Sequence, residues 1–297
     1  MKIFSALARR RLIVVTGKGG VGKTTVAAAL SRQLAAAGRR VLLVEIDPRE
    51  SLHQLLGTEP SGGQVLPAGP RLWAQNLQPR AVIEGLVREK VPIGALARKI
   101  VASSVFQHLV DGAPGLKEMA VLGYALRTTE GAYRHKADVV VLDAPATGHG
   151  ASMLTAPALL VDAIGGGQLG DMAQELATFI GDPEKCGVVL ATLAEEMPVQ
   201  ETIELIALLH ERFGRPPELL VANALYPAFP RGGAGAREPT RANVLALWRQ
   251  RREVNERELK RLRFTWKGPL AEVPLLPIPR GPDLLAAFAE ELVEQES

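Results

Sequence analysis

Residues 17–25 read GKGGVGKTT, directly after the apolar run LIVVT at 12–16 and opening the helical pattern KTTVAAALSRQLAAAG at 23–38. Gly17, Gly22, Lys23 and Thr24 satisfy the spacing G-x-x-x-x-G-K-[ST], in the strand-to-helix context that this motif needs. Small residues let successive backbone N–H groups close around phosphates, and the helix N-terminus adds a favourable dipole. Gly19, Gly20, Val21, Gly22, Lys23, Thr24 and Thr25 are therefore expected to cradle a nucleotide, ATP, with Lys23 on the β- and γ-phosphates. Thr24 is expected to offer its hydroxyl to Mg²⁺. A second lysine, Lys18, is surplus to that scheme.

Outward from this loop, short Val/Leu/Ile runs alternate with longer helical patterns. The runs RLIVVTG, RRVLLVEID, ADVVVLDAP, CGVVLATLA, ELLVANALYP and EVPLLPIP have few alternating polar positions, as strands covered on both faces do. Helices are expected over 23–38, closed by Gly38, over 198–214, closed by Gly214, and from Asp283 toward the C-terminus. The expected fold is α/β, a doubly wound, mostly parallel sheet forming one domain over 1–297. Two stretches break the alternation, about 51–136 and 150–183. They read as helical insertions, and Met153, Leu154, Pro157, Leu160, Val161 and Ile164 put one apolar face on the second.

Composition narrows the classes. The chain has 297 residues, 47% of them hydrophobic, enough for a sizeable core. One cysteine, Cys186, excludes an internal disulfide framework and any zinc or iron–sulfur site built from several cysteines of one chain. No run approaches the roughly 18 apolar residues of a membrane span, and the N-terminus lacks a signal peptide's apolar segment and cleavage site. A cytoplasmic protein without a transmembrane segment is expected. Residues 231–263 hold ten Lys/Arg against four Glu, a net of +6 that leaves −3 for the rest of a chain totalling +3. That segment reads as a solvated, partly charge-paired helix face in preference to a nucleic-acid or anionic-lipid surface.

Two acidic residues end strands beside the loop. Asp47, in VEIDPRESL, is placed to orient a water or the metal shell, with ordinary strand-end solvation as the alternative. Asp143, in VVVLDAPATGHG, is expected to hold Mg²⁺ through its water shell, while Thr147 and Gly148 offer donors to a γ-phosphate.

The form K-G-G-x-G-K-T-T resembles the deviant phosphate loop of a class that includes arsenical-pump ATPases and tail-anchored-protein targeting factors. The ending Thr147-Gly148-His149 after Asp143 is similar to the D-T-A-P-T-G-H signature of that branch, with Ala144-Pro145-Ala146 a permutation of its middle. The resemblance implies a dimer, of identical chains or with a paralogue, in which Lys18 crosses to the partner's phosphates like an arginine finger. It implies that Asp47 is the water-positioning carboxylate, that His149 is a switch residue, and that Glu118 lies near the nucleotide and the subunit interface. Asn223 in LLVANALYP is similar to the family's adenine-binding asparagine; a loop amide is the alternative. Pro277 and Pro279, in VPLLPIPRG, match the segment whose backbone lies against the base. Arg49-Glu50 stand where the family carries Ala-His, so no role of that histidine transfers.

The implied activity is a Mg²⁺-dependent ATPase that couples hydrolysis to handling a protein client, membrane-associated clients included. One phosphate loop and one cysteine argue against metalloid sensing, and there is no C-x-x-C pair to bridge a dimer. A partition or membrane-positioning ATPase, and a metal- or cofactor-insertion NTPase, are the alternatives.

Overall fold

A computed structural model describes residues 6–47, 49–133, 135–145, 152–164, 166–228 and 239–294. Among the described residues eight strands form one sheet: β1 (Leu12–Thr16), β2 (Val41–Glu45), β3 (Leu66–Gly69), β4 (Leu72–Asn76), β5 (Val139–Asp143), β6 (Cys186–Leu193), β7 (Leu219–Leu225) and β8 (Leu270–Pro274). Their order is β3-β4-β2-β5-β1-β6-β7-β8, and every pairing is parallel except β3 with β4.

Both faces of the sheet are buried, which explains the unbroken apolar runs. Leu12 and Val14 of β1 enter the core on one face, and Ile13 and Val15 the core on the other. The second face is covered by α1 (Lys23–Ala36) and by α11 (Pro282–Glu294), through Leu30, Leu34, Leu285 and Phe288. The first is covered by α6 (Leu116–Glu130), α7 (Ser152–Ile164), α8 (Gln168–Gly181) and α9 (Glu196–Phe213). Cys186 belongs to this core, and burial pushes its thiol up to about 12, so it packs as an inert apolar residue.

The region 51–136 is not wholly helical. It begins with α2 (Leu52–Leu56), then the hairpin β3–β4 extends the sheet before α3 (Pro79–Lys90), α4 (Gly94–Ala102), α5 (Ser104–Gly112) and α6. Pro67 and Gly69 break any continuous apolar run there, and β3 sits at the sheet edge where such residues are tolerated. The apolar face expected at 153–164 is largely core, for Met153 and Leu154 are buried. The basic helix α10 (Pro239–Thr265) runs before β8. Its arginines are extensively paired: Arg251 with Glu195, Arg252 with Glu256, Arg257 and Arg261 with Glu258, Arg263 with Glu272.

Candidate nucleotide site

The phosphate loop leaves β1 at the C-terminal edge of the parallel strands, where doubly wound folds gather their ligands. Two of its glycines are dictated by close approach. A Cβ on Gly17, whose φ is 145°, would lie 2.1 Å from the carbonyl oxygen of Ala191 on β6. A Cβ on Gly22, whose φ is 92°, would lie 2.2 Å from Nδ2 of Asn223 on β7. Gly22 is also the N-cap of α1, so the loop turns directly into a helix whose first amides have no side-chain cap.

Lys23 is 6% exposed and its Nζ donates to the Lys18 carbonyl at 2.9 Å, closing the loop across itself. Burial holds its ammonium below the usual lysine range, while Asp143 and Asp47 pull it back up. Thr24 Oγ1 donates to Asp143 Oδ2 at 2.6 Å, joining the start of α1 to the end of β5. Val21 is buried, Gly19 and Gly20 are exposed, and Thr25 is half-buried on the first turn of α1.

Asp143 is 5% exposed, and its Oδ1 is a buried oxygen without a hydrogen-bond partner among the described residues. Burial, with Glu45 and Asp47 nearby, pushes its carboxyl up to about 7 against the opposing effects of Thr24 and Lys23. A buried carboxylate oxygen beside a threonine hydroxyl, with Glu45 and Asp47 as acidic neighbours against Lys23, fits a small hard cation. Among the described residues no three His, Cys, Asp or Glu side chains converge as a protein cage. Mg²⁺ suits such a set, since it is held by one or two protein oxygens plus water and phosphate.

Asp47 follows β2 and is half-buried; its Oδ1 accepts from Arg49 N at 2.8 Å, and its carbonyl accepts from Asn76 Nδ2 at 2.7 Å. Asn223 donates from Nδ2 to the Val21 carbonyl at 2.9 Å, and its Oδ1 accepts from Ala224 N at 2.7 Å. Its amide therefore braces the phosphate loop, leaving one N–H for a base. Pro277 and Pro279 are exposed in the loop after β8, which pairs with the β7 strand that bears Asn223. Lys18 Nζ lies 2.6 Å from Glu201 Oε1 on α9. Glu118 is in the first turn of α6. Thr147, Gly148 and His149 lie outside the described residues.

Two residues of this region carry no motif. Glu201 is one acidic position among several on a solvated helix, and only the fold brings it to Lys18. Glu45 leaves a trace in the sequence as a charged residue closing an otherwise apolar strand, and it is 1% exposed.

A family described as "Anion-transporting ATPase" matches residues 10–176. ATPase BagA of Mycobacterium tuberculosis is 33% identical over 210 residues, covering 68% of this chain and 62% of that protein. The arsenical pump-driving ATPase of Escherichia coli is 28% identical over 266 residues, covering 80% of this chain and 42% of that one. ATPase GET3 of Rhodotorula glutinis is 30% identical over 178 residues, covering 57% and 49% respectively. The chain thus spans less than two thirds of each of these relatives, between 42% and 62% of their lengths.

Proposed function

This chain belongs to the anion-transporting ATPase family, and on that premise we propose that it is a Mg²⁺-dependent ATPase working as a nucleotide-switched dimer that handles a protein client. The observation that carries the reading is the 2.6 Å bond from Thr24 to Asp143, whose other oxygen is buried without a partner among the described residues.

In this reading the loop amides and Lys23 bind the β- and γ-phosphates, Lys23 exchanging the Lys18 carbonyl for phosphate oxygens. Thr24 and Asp143 would hold Mg²⁺, which when bound neutralises charge building on the phosphate oxygens. Asp47, fixed by Arg49 N and Asn76, orients the attacking water. Lys18 leaves Glu201 and reaches the phosphates of the partner, an identical chain or a paralogue. Each active site is then complete only in the dimer.

Support for a client comes from exposed apolar residues on the helical insertions. Ile93, Leu96, Val105 and Leu109 on and beside α4 and α5 are 62%, 46%, 77% and 56% exposed, and Leu159 and Ile164 add to them on α7. Such residues suit an apolar segment of a protein. Among the described residues no helix is long and apolar enough to cross a membrane. The extensive pairing of the α10 arginines weakens the alternative of an anionic surface ligand.

The test is phosphate release from ATP by the purified chain. Turnover that needs Mg²⁺ and disappears in Lys23→Ala supports the reading; nucleotide binding without turnover, with Mg²⁺ and at every protein concentration, rejects it.

A further inference from the structure

Asn76, Glu45 and Asp143 stand side by side at the C-terminal ends of β4, β2 and β5, one register level across three adjacent strands. Glu45 carries a carboxyl group that is almost completely enclosed, and its hydrogen-bond donors among the described residues are uncharged groups. A carboxylate in that position needs several donors to offset its lost hydration.

It has them, and they come chiefly from one place. Ser51 N donates to both carboxylate oxygens, at 3.0 Å and 2.9 Å, and the Ser51 hydroxyl donates to Oε1. Leu52 N donates to Oε2 at 3.2 Å, with Asn76 Nδ2 at 3.4 Å from the same oxygen. Ser51 and Leu52 begin α2, so Glu45 serves as the acceptor for the first amides of a helix that has no side-chain cap of its own.

The bond has a consequence for Asp47. Asp47 follows β2 and Ser51 precedes α2, and both are held. Asn76 grips the Asp47 carbonyl at the entry, and Glu45 grips Ser51 at the exit. Glu50, in the stretch that departs from the family pattern, accepts from Ser61 N and from Gly62 N, the latter at 3.2 Å. Arg280 adds a bond from its guanidinium to the Ser51 carbonyl at 3.3 Å. Glu45 is the deepest of these anchors and the one that contacts the most groups of the loop.

We infer that Glu45 is a positioning residue that sets Asp47 over the phosphate loop by clamping Ser51 and Leu52. The inference rests on the reading of Asp47 as the carboxylate that orients water. Glu45 touches neither nucleotide nor water in this scheme. Removing its charge frees the exit of the loop and lets Asp47 wander while the phosphate loop, Thr24 and Asp143 stay in place.

The experiment compares Glu45→Gln, Glu45→Asp and Ser51→Ala in the full chain, each alone and in an Asp47→Asn background. Turnover, including single turnover with excess protein, affinity for a fluorescent ATP analogue, and amide exchange at residues 49–52 are read. Measured at about pH 8.5, above the value of about 7 to which burial, with Glu45 and Asp47 nearby, pushes Asp143, Glu45→Gln is expected to lower kcat about 10- to 100-fold with nucleotide affinity unchanged, because small misplacement of a catalytic group is costly. Ser51→Ala, a milder change at a half-buried residue, shows a smaller loss of the same kind, and Glu45→Asp recovers part of the rate. Exchange at residues 49–52 rises in step with the loss. In the Asp47→Asn background, Glu45→Gln changes the residual rate by less than about twofold, since the path through Asp47 is already gone.

Full turnover by Asp47→Asn would overturn the reading of Asp47 itself. Slow turnover by Asp47→Asn together with full turnover by Glu45→Gln and Ser51→Ala overturns the inference alone. So does a Glu45→Gln loss that is undiminished in the Asp47→Asn background, or one that falls on nucleotide affinity instead of kcat.

Discussion

Lys18 Nζ and Glu201 Oε1 are 2.6 Å apart, so within one protomer the surplus lysine of the phosphate loop is ion-paired to α9. Lys18 and Glu201 retain 33% and 38% side-chain exposure, which leaves the pair at a rim where water screens it. Pairs of this kind contribute about 0–1 kcal/mol. Lys18 is thus weakly held, and in the proposed dimer a partner's phosphates, carrying more charge than one carboxylate, would draw it away. Glu201→Gln is expected to lower the concentration at which ATP-bound dimers form, by up to about fivefold per pair broken. Sedimentation velocity reads this directly, and an unchanged dimerisation midpoint would mean that the pair holds nothing back.

Asp143 yields a pH dependence whose sign is fixed by burial. Its carboxyl is pushed up to about 7 in the folded chain, above the ordinary value of about 3.9 expected when unfolded. The folded state therefore keeps a proton that the unfolded state has released. This group's contribution to the stability of the ligand-free chain is fully present below the unfolded value and is lost as pH rises through about 7. Holding Mg²⁺ requires the ionised form, so Mg²⁺-dependent nucleotide binding should tighten up to about tenfold per pH unit below 7 and level off above it. Calorimetric titration in buffers of different ionisation enthalpy should register proton release below pH 7. Asp143→Asn should flatten both profiles; a wild-type affinity independent of pH between about 5.5 and 7.5 would contradict the assignment.

Two glycines of the phosphate loop should respond differently to a methyl group. Gly20 has φ 80° with nothing within 4 Å of an added Cβ, so Gly20→Ala meets only backbone strain, about 1–2 kcal/mol. Gly17 combines φ 145° with a contact of 2.1 Å to the Ala191 backbone, so β6 itself must move. Gly17→Ala is expected to cost at least about 3 kcal/mol in urea unfolding, well beyond Gly20→Ala. Equal losses would show that the loop and β6 are not in the contact described.

Asn223 links the loop to β7, and its loss should be felt in binding before folding. Asn223→Ala removes the bond to the Val21 carbonyl and is expected to weaken nucleotide binding about five- to tenfold. Asn223→Asp turns an acceptor toward that carbonyl and should be worse. Calorimetric titration against ATP and GTP separates the two roles: a loss common to both nucleotides reports the brace, and a loss confined to ATP reports a contact with the base.

Much of this site is legible in the amino-acid sequence. The run 12–25 specifies strand, loop and helix together, and the absence of alternation in the strands at 41–45, 139–143 and 186–193 announces burial on both faces, as the two cores flanking β1 demonstrate. The hairpin β3–β4 is not legible, because Leu66–Gly69 acquires its strand from the neighbouring edge and not from its own residues. Glu201 is illegible for a related reason. Its meaning depends on a contact across 183 positions of sequence. Glu45 stands between these cases, visible as an oddity but intelligible only through the closure of Ser51 and Leu52 on its carboxylate.

In the proposed dimer each active site draws Lys18 from the other protomer, and mixing two inactive variants tests this exchange. Lys18→Ala and Asp47→Asn should each lose turnover alone while still binding ATP. In a mixed dimer, one site combines an intact Asp47 in its own chain with an intact Lys18 from the partner. Equal mixing should therefore restore about one quarter of the wild-type rate, half the dimers being mixed and one site of two being complete in each. If Lys18 serves its own nucleotide, both sites of the mixed dimer are defective and the mixture stays inactive, which would rule out the exchange of Lys18 between protomers.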